Sequence, residues 1–347
     1  MSLAEIPIHV AVIGAGAFGR NHARVYRRLE QAGEPVHLAA VADQDSARAA
    51  ALAQECGPGV TAFDDIRELL ARGGIHAASL AVPTVQHLKV ASELMAAGLD
   101  VLIEKPLAST LAEADELIRL AERHVRIAQV GHLERFNPAV QATLQLVTRP
   151  MFFEVHRMSV FSPRSLDIDV VLDLMIHDLD IVLTLANSPV SEVRAVGLPI
   201  LSRQVDIANV RLEFESGCVA NLTASRVSTE KVRKLRFFQP RQYVSIDYSR
   251  QDVLVFTVAA DAAARGDALP GSPGSPIQVA KPAVQAQEPL EAELRAFMEA
   301  VHRRSPARVT LEDGRRALAL ALEIQAAMRE HGRKVDLDFL GAGRSSF

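Results

Sequence analysis

Short apolar runs alternate with amphipathic stretches through the first third of the chain. The apolar runs predict strands at 8–13, 36–43, 61–63, 75–82, 101–106 and 126–130. The stretches between them predict helices at 18–29, 46–55, 65–71, 85–97 and 110–123. Strands that alternate with helices are typical of a doubly wound parallel sheet with right-handed crossovers. The pattern therefore predicts an α/β domain over residues 1–130.

After residue 131 the pattern changes to alternation of single apolar and polar positions. It predicts strands at 151–160, 191–200, 206–215, 218–227, 231–238 and 242–248, because this alternation marks strands with one buried face. Helices are predicted at 137–147, 169–186, 289–303 and 311–331. Residues 259–289, rich in Ala, Gly, Pro and Gln, predict a flexible excursion. The second domain, 131–347, is expected to be α+β with a mostly antiparallel open sheet.

Three glycines follow the first strand with the spacing G-x-G-x-x-G, at Gly14, Gly16 and Gly19. The first permits a tight turn, the second lets a pyrophosphate approach the backbone, and the third lets the next helix pack close to the strand. That helix begins near Ala17 and Phe18 and would direct its first amides at the phosphates. With a strand before it and a helix after it, the motif favours a dinucleotide-binding Rossmann domain over a purely structural glycine turn.

Asp43 ends the second predicted strand, about 20 residues beyond the glycine turn. A carboxylate there accepts hydrogen bonds from the adenosine ribose and repels a 2′-phosphate, which favours NAD. Arg48, one helical turn further, keeps NADP as the alternative. Asp43 could also serve only as the N-cap of the next helix.

Length and composition narrow the class of protein. The 347 residues exceed one ordinary core and predict two domains. A net charge of −4 gives no electrostatic footprint for nucleic acid. Cys56 and Cys218 form no motif, which argues for a reducing compartment and against a disulfide framework or a zinc site. We expect a cytoplasmic protein with no membrane partner and no metal, since the sequence shows no signal peptide and no apolar run of spanning length.

Lys105, within Glu104-Lys105-Pro106, ends a predicted parallel strand. Residues at the carboxyl ends of such strands face the ligand crevice. A lysine in an apolar run is costly unless it is paired or used, and burial brings the pKa of a lysine toward a catalytically useful range. The alternative is a strand-end lysine that only reaches water.

Asp173 and His177 lie four residues apart on a predicted helix, so both project from one face, with Asp180 nearby. Histidine suits proton transfer near neutral pH, and a carboxylate one turn away can bias its tautomer. An exposed Asp–His pair, stabilising the helix by a few tenths of a kcal/mol, is the alternative. A metal site is disfavoured because no further ligand cluster accompanies the pair.

Together these motifs resemble the Gfo/Idh/MocA oxidoreductase family. The resemblance rests on the glycine turn, Pro83 with His87, Glu104-Lys105-Pro106, Asp173-x-x-x-His177-x-x-Asp180 and the helix at 311–324, and it covers essentially the whole chain. It implies NAD(P)-dependent oxidation or reduction at a secondary alcohol of a sugar or cyclitol. The catalytic residues that it implies are Lys105, Asp173 and His177. The cofactor site would also include Pro83, His87, Glu104 and Lys105.

Residues 131–138 and 161–167 resemble a branch of that family that oxidises C3 of UDP-N-acetylglucosamine. In that branch a separate transaminase aminates the 3-keto product, for lipid A with amide-linked chains. A diphosphate is bound well by arginine forks, which makes Arg135, Arg157 and Arg164 candidates. Surface salt bridges are the alternative for all three. The expected substrate site also contains Asn137, Asp173 and His177.

Three other functions fit the same residues: a free-sugar or inositol dehydrogenase, a dinucleotide-binding regulator without turnover, and an NADPH-preferring imine or biliverdin-type reductase. Either Lys105 or His177 could accept the proton, because their titrations would be coupled. The alternating strands of the second domain leave one apolar face that the predicted helices do not cover. This predicts a homodimer or homotetramer.

Overall fold

The computed structural model describes residues 7–161, 168–259, 270–272 and 275–335. The chain divides into two compact units, Met1–Leu133 with Glu288–Leu318, and Glu134–Gln287 with Ala319–Phe347. The predicted second domain, 131–347, differs from this division because residues 288–318 return to the first unit. Their helix places Leu294 and Phe297 in the same hydrophobic core as Tyr26.

A six-stranded parallel sheet forms the centre of the first unit, as predicted, with strand order β3-β2-β1-β4-β5-β6. Its strands are β1 Ile8–Ile13, β2 Val36–Ala42, β3 Thr61–Phe63, β4 Ala77–Leu80, β5 Asp100–Glu104 and β6 Ala128–Gly131. Its helices are α1 Ala17–Gln31, α2 Ser46–Cys56, α3 Ile66–Arg72, α4 His87–Ala96, α5 Leu111–His124 and α8 Pro289–Arg303, and a 3₁₀ turn at Thr84–Gln86 precedes α4. The strand order changes direction between β1 and β4, and ligands bind beside the carboxyl ends of strands at such a point.

Side-chain caps mark the starts of three helices in this unit, α2, α3 and α5. The side chains of Asp45 and Asp65 accept hydrogen bonds from backbone N–H groups at the starts of α2 and α3. Thr110 and Glu113 form a reciprocal capping box at the start of α5. The central strands are apolar throughout because helices cover both faces of the sheet; β5, for example, is buried along its whole length.

The second unit contains an eight-stranded sheet of order β14-β13-β12-β11-β7-β10-β9-β8. Its strands are β7 Phe152–Val160, β8 Val190–Leu198, β9 Ile207–Phe214, β10 Val219–Ser228, β11 Val232–Gln239, β12 Gln242–Asp247, β13 Asp252–Val258 and β14 Ile277–Ala280. Only β7 and β10 pair in parallel among these strands. The predicted mostly antiparallel sheet is therefore confirmed. The short helix α6, Pro138–Thr143, and the helix α7, Ile176–Ala186, accompany it, while α9, Leu311–Lys334, begins in the first unit and continues into the second.

Two strands were not predicted from the sequence. One is β13, and the other is β14, which lies inside the segment predicted as a flexible excursion. In β14 Val279 pairs with Phe256, and Ile277 pairs with Val258. A four-residue edge strand pairs on one side only, so its sequence signal is weak. Residues 260–269 and 273–274 of the predicted excursion lie outside the described residues.

The two faces of the second sheet differ in composition. Phe153, Phe237 and Val244 point to the buried face and are fully enclosed. On the opposite face a row of directly paired residues crosses five strands: Phe152, Phe238, Tyr243, Phe256 and Val279. Ring centroids along this row are 5.7, 4.8 and 5.1 Å apart.

None of the helices within the described ranges has the length and apolar character needed to cross a membrane.

Candidate functional site

The glycine turn after β1 is shaped by close backbone approaches. Gly14 has φ +99°, and a Cβ there would lie 2.5 Å from the carbonyl oxygen of Ala81. A Cβ on Gly19 would overlap the carbonyl oxygen of Gly14. The space beside Gly16 is open to 4 Å. Two glycines therefore permit the turn and the close helix, and the third leaves room for a ligand at the start of α1.

A cavity of about 700 Å³ lies at the carboxyl ends of β1, β2 and β4. Gly14, Gly16, Asp43 and Pro83 line it, as the sequence predicts for a dinucleotide site. Gly16 is the N-cap of α1 and offers no side chain to the first amides of that helix. Those N–H groups and the helix dipole suit a phosphate. The cavity therefore fits a dinucleotide with its pyrophosphate at Gly16.

The carboxylate of Asp43 has two neighbours in the backbone. Its Oδ2 accepts a hydrogen bond of 2.7 Å from the Ala15 N–H, and its Oδ1 accepts one of 2.9 Å from the Asp45 N–H. Asp43 thus braces the glycine turn as well as lining the cavity. The N-cap of α2 is Asp45, whose side chain accepts from the Arg48 N–H. The alternative of Asp43 as that N-cap is therefore excluded.

Arg48, which kept NADP as an alternative, is held by carboxylates. Its Nε lies 2.9 Å from Asp45 Oδ2, and its Nη2 lies 3.2 Å from Asp43 Oδ1. Arg48 lines the same cavity. A guanidinium engaged by two carboxylates is less available to a ribose 2′-phosphate, which adds to the repulsion that Asp43 exerts on that phosphate.

Other predicted cofactor residues take different positions. Phe18 is 54% exposed in the first turn of α1, which Ala17 begins. His87 is buried, with its ring nitrogens 3.2 Å from the Leu107 oxygen and 3.0 Å from the Val82 oxygen. Burial lowers the pKa of His87, so the ring is neutral near pH 7 and donates to one of these carbonyls. His87 supports the chain around the cavity and is absent from its lining.

Glu104 also points into the interior of the first unit. It is 8% exposed, and its Oε1 lies 2.8 Å from Nε2 of His22 on α1. Lys105 follows directly after β5 and is half-buried. The sequence interpretation did not include His22. Its signal was a histidine on the buried face of an amphipathic helix, one turn after Gly19 and one before Tyr26.

Asp173 and His177 lie where a π-helical turn leads into α7. The π turn spans Val171–Met175, and α7 begins at Ile176. π turns are common at functional sites. Asp173 and His177 are both half-buried, whereas Asp178 and Asp180 are buried.

Each of the two buried aspartates of α7 pairs with one of the predicted substrate arginines. Arg135 binds Asp180 through both Nε and Nη2, at 2.7 and 2.8 Å. Arg157 binds Asp178 through the same two atoms, at 2.6 and 2.9 Å, and also reaches Glu134 at 3.1 Å. Burial alone would lower the pKa of Arg157, but the charges of Asp178 and Glu134 outweigh it and raise that pKa above its usual range.

The structure therefore places Arg157 inside the second unit, with its guanidinium engaged by carboxylates. Asn137 is also buried: it caps α6 through its Oδ1 and donates from Nδ2 to Glu134 and to the Tyr248 carbonyl. Arg164 lies outside the described residues. Across the described part of the chain no group of three or more acidic, histidine or cysteine side chains could hold a metal ion.

Comparison with known proteins agrees with this geometry. A family model described as an oxidoreductase family with an NAD-binding Rossmann fold matches residues 8–132, and the Gfo/Idh/MocA C-terminal domain model matches residues 151–242. The cofactor prediction, NAD, is thereby confirmed.

The chain is 38% identical to UDP-N-acetylglucosamine 3-dehydrogenase of Acidithiobacillus ferrooxidans, over 93% of this chain and 98% of that protein. A solved structure of that name from the same organism covers 94% of this chain and 99% of its own, with a TM-score of 0.82 and 34% identity. An inositol 2-dehydrogenase of Corynebacterium glutamicum is 30% identical over 54% of this chain and 56% of its own length.

The position of Asp43 generates a prediction about cofactor choice. Asp43→Ser should weaken NAD binding, because the ribose loses its acceptor and Ala15 loses its brace, and it should relax discrimination against NADP. Both dissociation constants can be measured by isothermal titration calorimetry. Asp65→Ser makes the same exchange at the N-cap of α3, where serine can still cap the helix, and serves as the control. A wild-type protein that bound NADP more tightly than NAD would contradict the role given to Asp43.

Proposed function

Because the chain belongs to the Gfo/Idh/MocA family of oxidoreductases, we propose that it oxidises C3 of UDP-N-acetylglucosamine to the 3-keto sugar with NAD. The observation that carries this proposal is the match of 38% identity along 93% of the chain to an enzyme of that name. The cavity beside Gly16 and Asp43 supports the cofactor half of the reaction.

In the proposed reaction, residues of this chain would orient the substrate hydroxyl and accept its proton. When bound, NAD supplies the two-electron acceptor for the hydrogen on the carbinol carbon. His177 accepts the hydroxyl proton, and Lys105 donates a hydrogen bond to the same oxygen as negative charge develops. Asp173 orients His177 and stabilises its cation. These roles follow from the family resemblance, and the half-buried positions of all three side chains support them.

Removing either proton-handling group tests these roles. Lys105→Ala or His177→Ala should lower kcat by about 100-fold or more, the range for general acid–base groups. NADH affinity should be retained, because the cavity at Gly16 and Asp43 is untouched. Rates come from NADH absorbance and affinity from NADH fluorescence, with His124→Ala at the end of α5 as the control. Near-normal turnover in either variant would remove that residue from the mechanism.

Recognition of the substrate diphosphate is the next part of the proposal. Arg157 and Arg135 are engaged by Asp178 and Asp180, so Arg164 is the remaining member of the three predicted arginines. Its guanidinium would contact the diphosphate by charge-assisted hydrogen bonds.

Arg164→Ala should therefore raise KM for UDP-N-acetylglucosamine much more than it changes NAD affinity. Added salt should raise the wild-type KM, because charge pairing at a partly exposed site is screened. Arg203→Ala, an exposed arginine of the same unit, is the matched control. The product should be two hydrogens lighter than the substrate by mass spectrometry. Equal effects of the two substitutions would count against a diphosphate contact at Arg164.

A free-sugar or inositol dehydrogenase is the second candidate. It is favoured by the inositol 2-dehydrogenases among the relatives, although these match only about half of the chain. A panel of UDP-sugars, free sugars and myo-inositol with NAD and NADP decides between the two candidates. Efficient oxidation of myo-inositol with no turnover of UDP-sugars would overturn the proposed substrate. Turnover of any of these substrates would exclude a purely regulatory role.

We further propose that the 3-keto product is aminated by a transaminase on the way to lipid A, in the cytoplasm. The support is chemical: a ketone beside the N-acetyl group is the functional group that a transaminase converts to an amine.

We also propose that the chain forms a homodimer or homotetramer through the open face of the second sheet. The row Phe152–Phe238–Tyr243–Phe256–Val279 supports this, because it presents stacked rings on a face where Val279 remains 40% exposed. Beside it, Glu154 contacts His156 and Arg236, so the face carries both charge signs. A second copy related by a two-fold axis could match both features.

A charge within the apolar row should therefore break the assembly. Tyr243→Glu is expected to shift the mass in light scattering toward that of the monomer at micromolar concentration, since burying an unpaired charge is costly. Val125→Glu places the same charge on an exposed apolar position of the first unit and should leave the mass unchanged. A monomeric wild-type protein under these conditions would contradict the proposal.

A further inference from the structure

A buried polar cluster lies in the first unit beside the strand that leads to Lys105. His22 and Tyr26 come from α1, Glu104 from β5, and Glu293 from α8, and all four side chains are buried. Within this cluster His22 Nε2 lies 2.8 Å from Glu104 Oε1. A buried carboxylate is costly without a hydrogen-bonding partner, and the His22 ring supplies one.

The chain leaves space for this carboxylate at Gly131. Gly131 pairs with Glu104 in register between β6 and β5. A Cβ on Gly131 would lie 3.0 Å from each Glu104 carboxylate oxygen. That separation is tighter than ordinary contact, so a side chain at this position would push the carboxylate by a few tenths of an ångström.

The hydrogen bond between His22 and Glu104 joins α1 to β5. His22 lies six residues after Gly16, or about 9 Å along the axis of α1. Glu104 is the last residue of β5, and Lys105 follows it directly. The hydrogen bond therefore links the helix whose N-terminus faces the cofactor cavity to the strand end that carries Lys105.

Glu293 is the second carboxyl group of the cluster. Its carboxyl oxygens have no hydrogen-bond partner among the described residues. Burial and the charge of Glu104 raise the pKa of Glu293 well above its usual range.

We propose that His22 and Glu104 act as a positioning pair that fixes Lys105 relative to the bound dinucleotide. This inference rests on the proposed role of Lys105 in the reaction. Neither residue needs to touch the substrate: the pair keeps the end of β5 and the start of α1 in one geometry. The ordinary alternative is a core contact that contributes only to stability.

Three substitutions on α1 separate the two interpretations. His22→Leu should lower kcat by about tenfold or more while NADH affinity stays within about threefold, because a small misplacement of a reacting group costs rate. His22→Gln, which keeps an amide donor, should recover most of kcat. Tyr26→Phe is the matched control: it loses the 2.8 Å hydrogen bond to Ser79 from the same buried helix face. It should lower Tm and leave kcat unchanged.

A second variant covers the case in which His22→Leu does not fold. Glu104→Leu removes the acceptor oxygens that His22 contacts while filling a similar volume, and the same loss of kcat at unchanged NADH affinity is expected. The proposal is overturned if the folded variants keep wild-type kcat. It is also overturned if kcat falls in proportion to Tm in every variant, Tyr26→Phe included.

A measurement without substrate separates this proposal from the proposed function. In the NADH-bound protein, labelling of Lys105 by an amine-selective reagent is followed by peptide mass spectrometry, with Lys281 as the internal reference. His22→Leu should change the Lys105 labelling rate by about threefold or more, the equivalent of half a pKa unit. An unchanged rate would overturn the positioning pair. Absence of turnover with UDP-N-acetylglucosamine would overturn only the proposed substrate.

Discussion

The close passage of the Gly14 backbone against the Ala81 carbonyl is the constraint on which the cofactor site depends. It brings the ends of β1 and β4 together and turns the chain directly into α1. Gly19 then lets α1 lie against that same turn. The cavity is thus built mainly by backbone geometry. Asp43 is the exception: one carboxylate oxygen supports the turn through the Ala15 N–H, and the other faces Arg48 and the Asp45 N–H.

Buried charges in both units are paired between elements that are distant in sequence. In the first unit Glu104 meets His22, and in the second Arg157 meets Asp178 and Glu134. Replacing a buried ion pair by apolar residues is often neutral, whereas removing one partner alone is strongly destabilising. Such pairs are therefore better understood as fixing the relative position of two elements than as a net source of stability. Their position beside Lys105 and on α7 agrees with that interpretation.

The Rossmann sheet could be predicted because its signals are local: apolar runs for the strands and, at several helices, an N-capping side chain or a glycine after the last turn. The cavity residues Gly14, Gly16 and Asp43 follow from the same local spacing. The strand β14 could not be predicted, since an edge strand of four residues gains its stability from its neighbour. The pairing of buried charged side chains also could not be predicted from the sequence. Arg157 and Asp178 are 21 residues apart on a strand and a helix, and no periodicity in the sequence records that pairing.

The arginine pairs also explain which polar groups of the α7 segment are buried. Four acidic or histidine side chains lie within eight residues, Asp173, His177, Asp178 and Asp180. Asp178 and Asp180 are buried against Arg157 and Arg135, so their charges are largely compensated. Asp173 and His177 are the half-buried members of this set. The π-helical turn Val171–Met175 contains Asp173 and ends two residues before His177. Pairing with arginines thus separates the buried carboxylates Asp178 and Asp180, which fix the position of α7, from the half-buried Asp173 and His177, to which we assign the proton transfer.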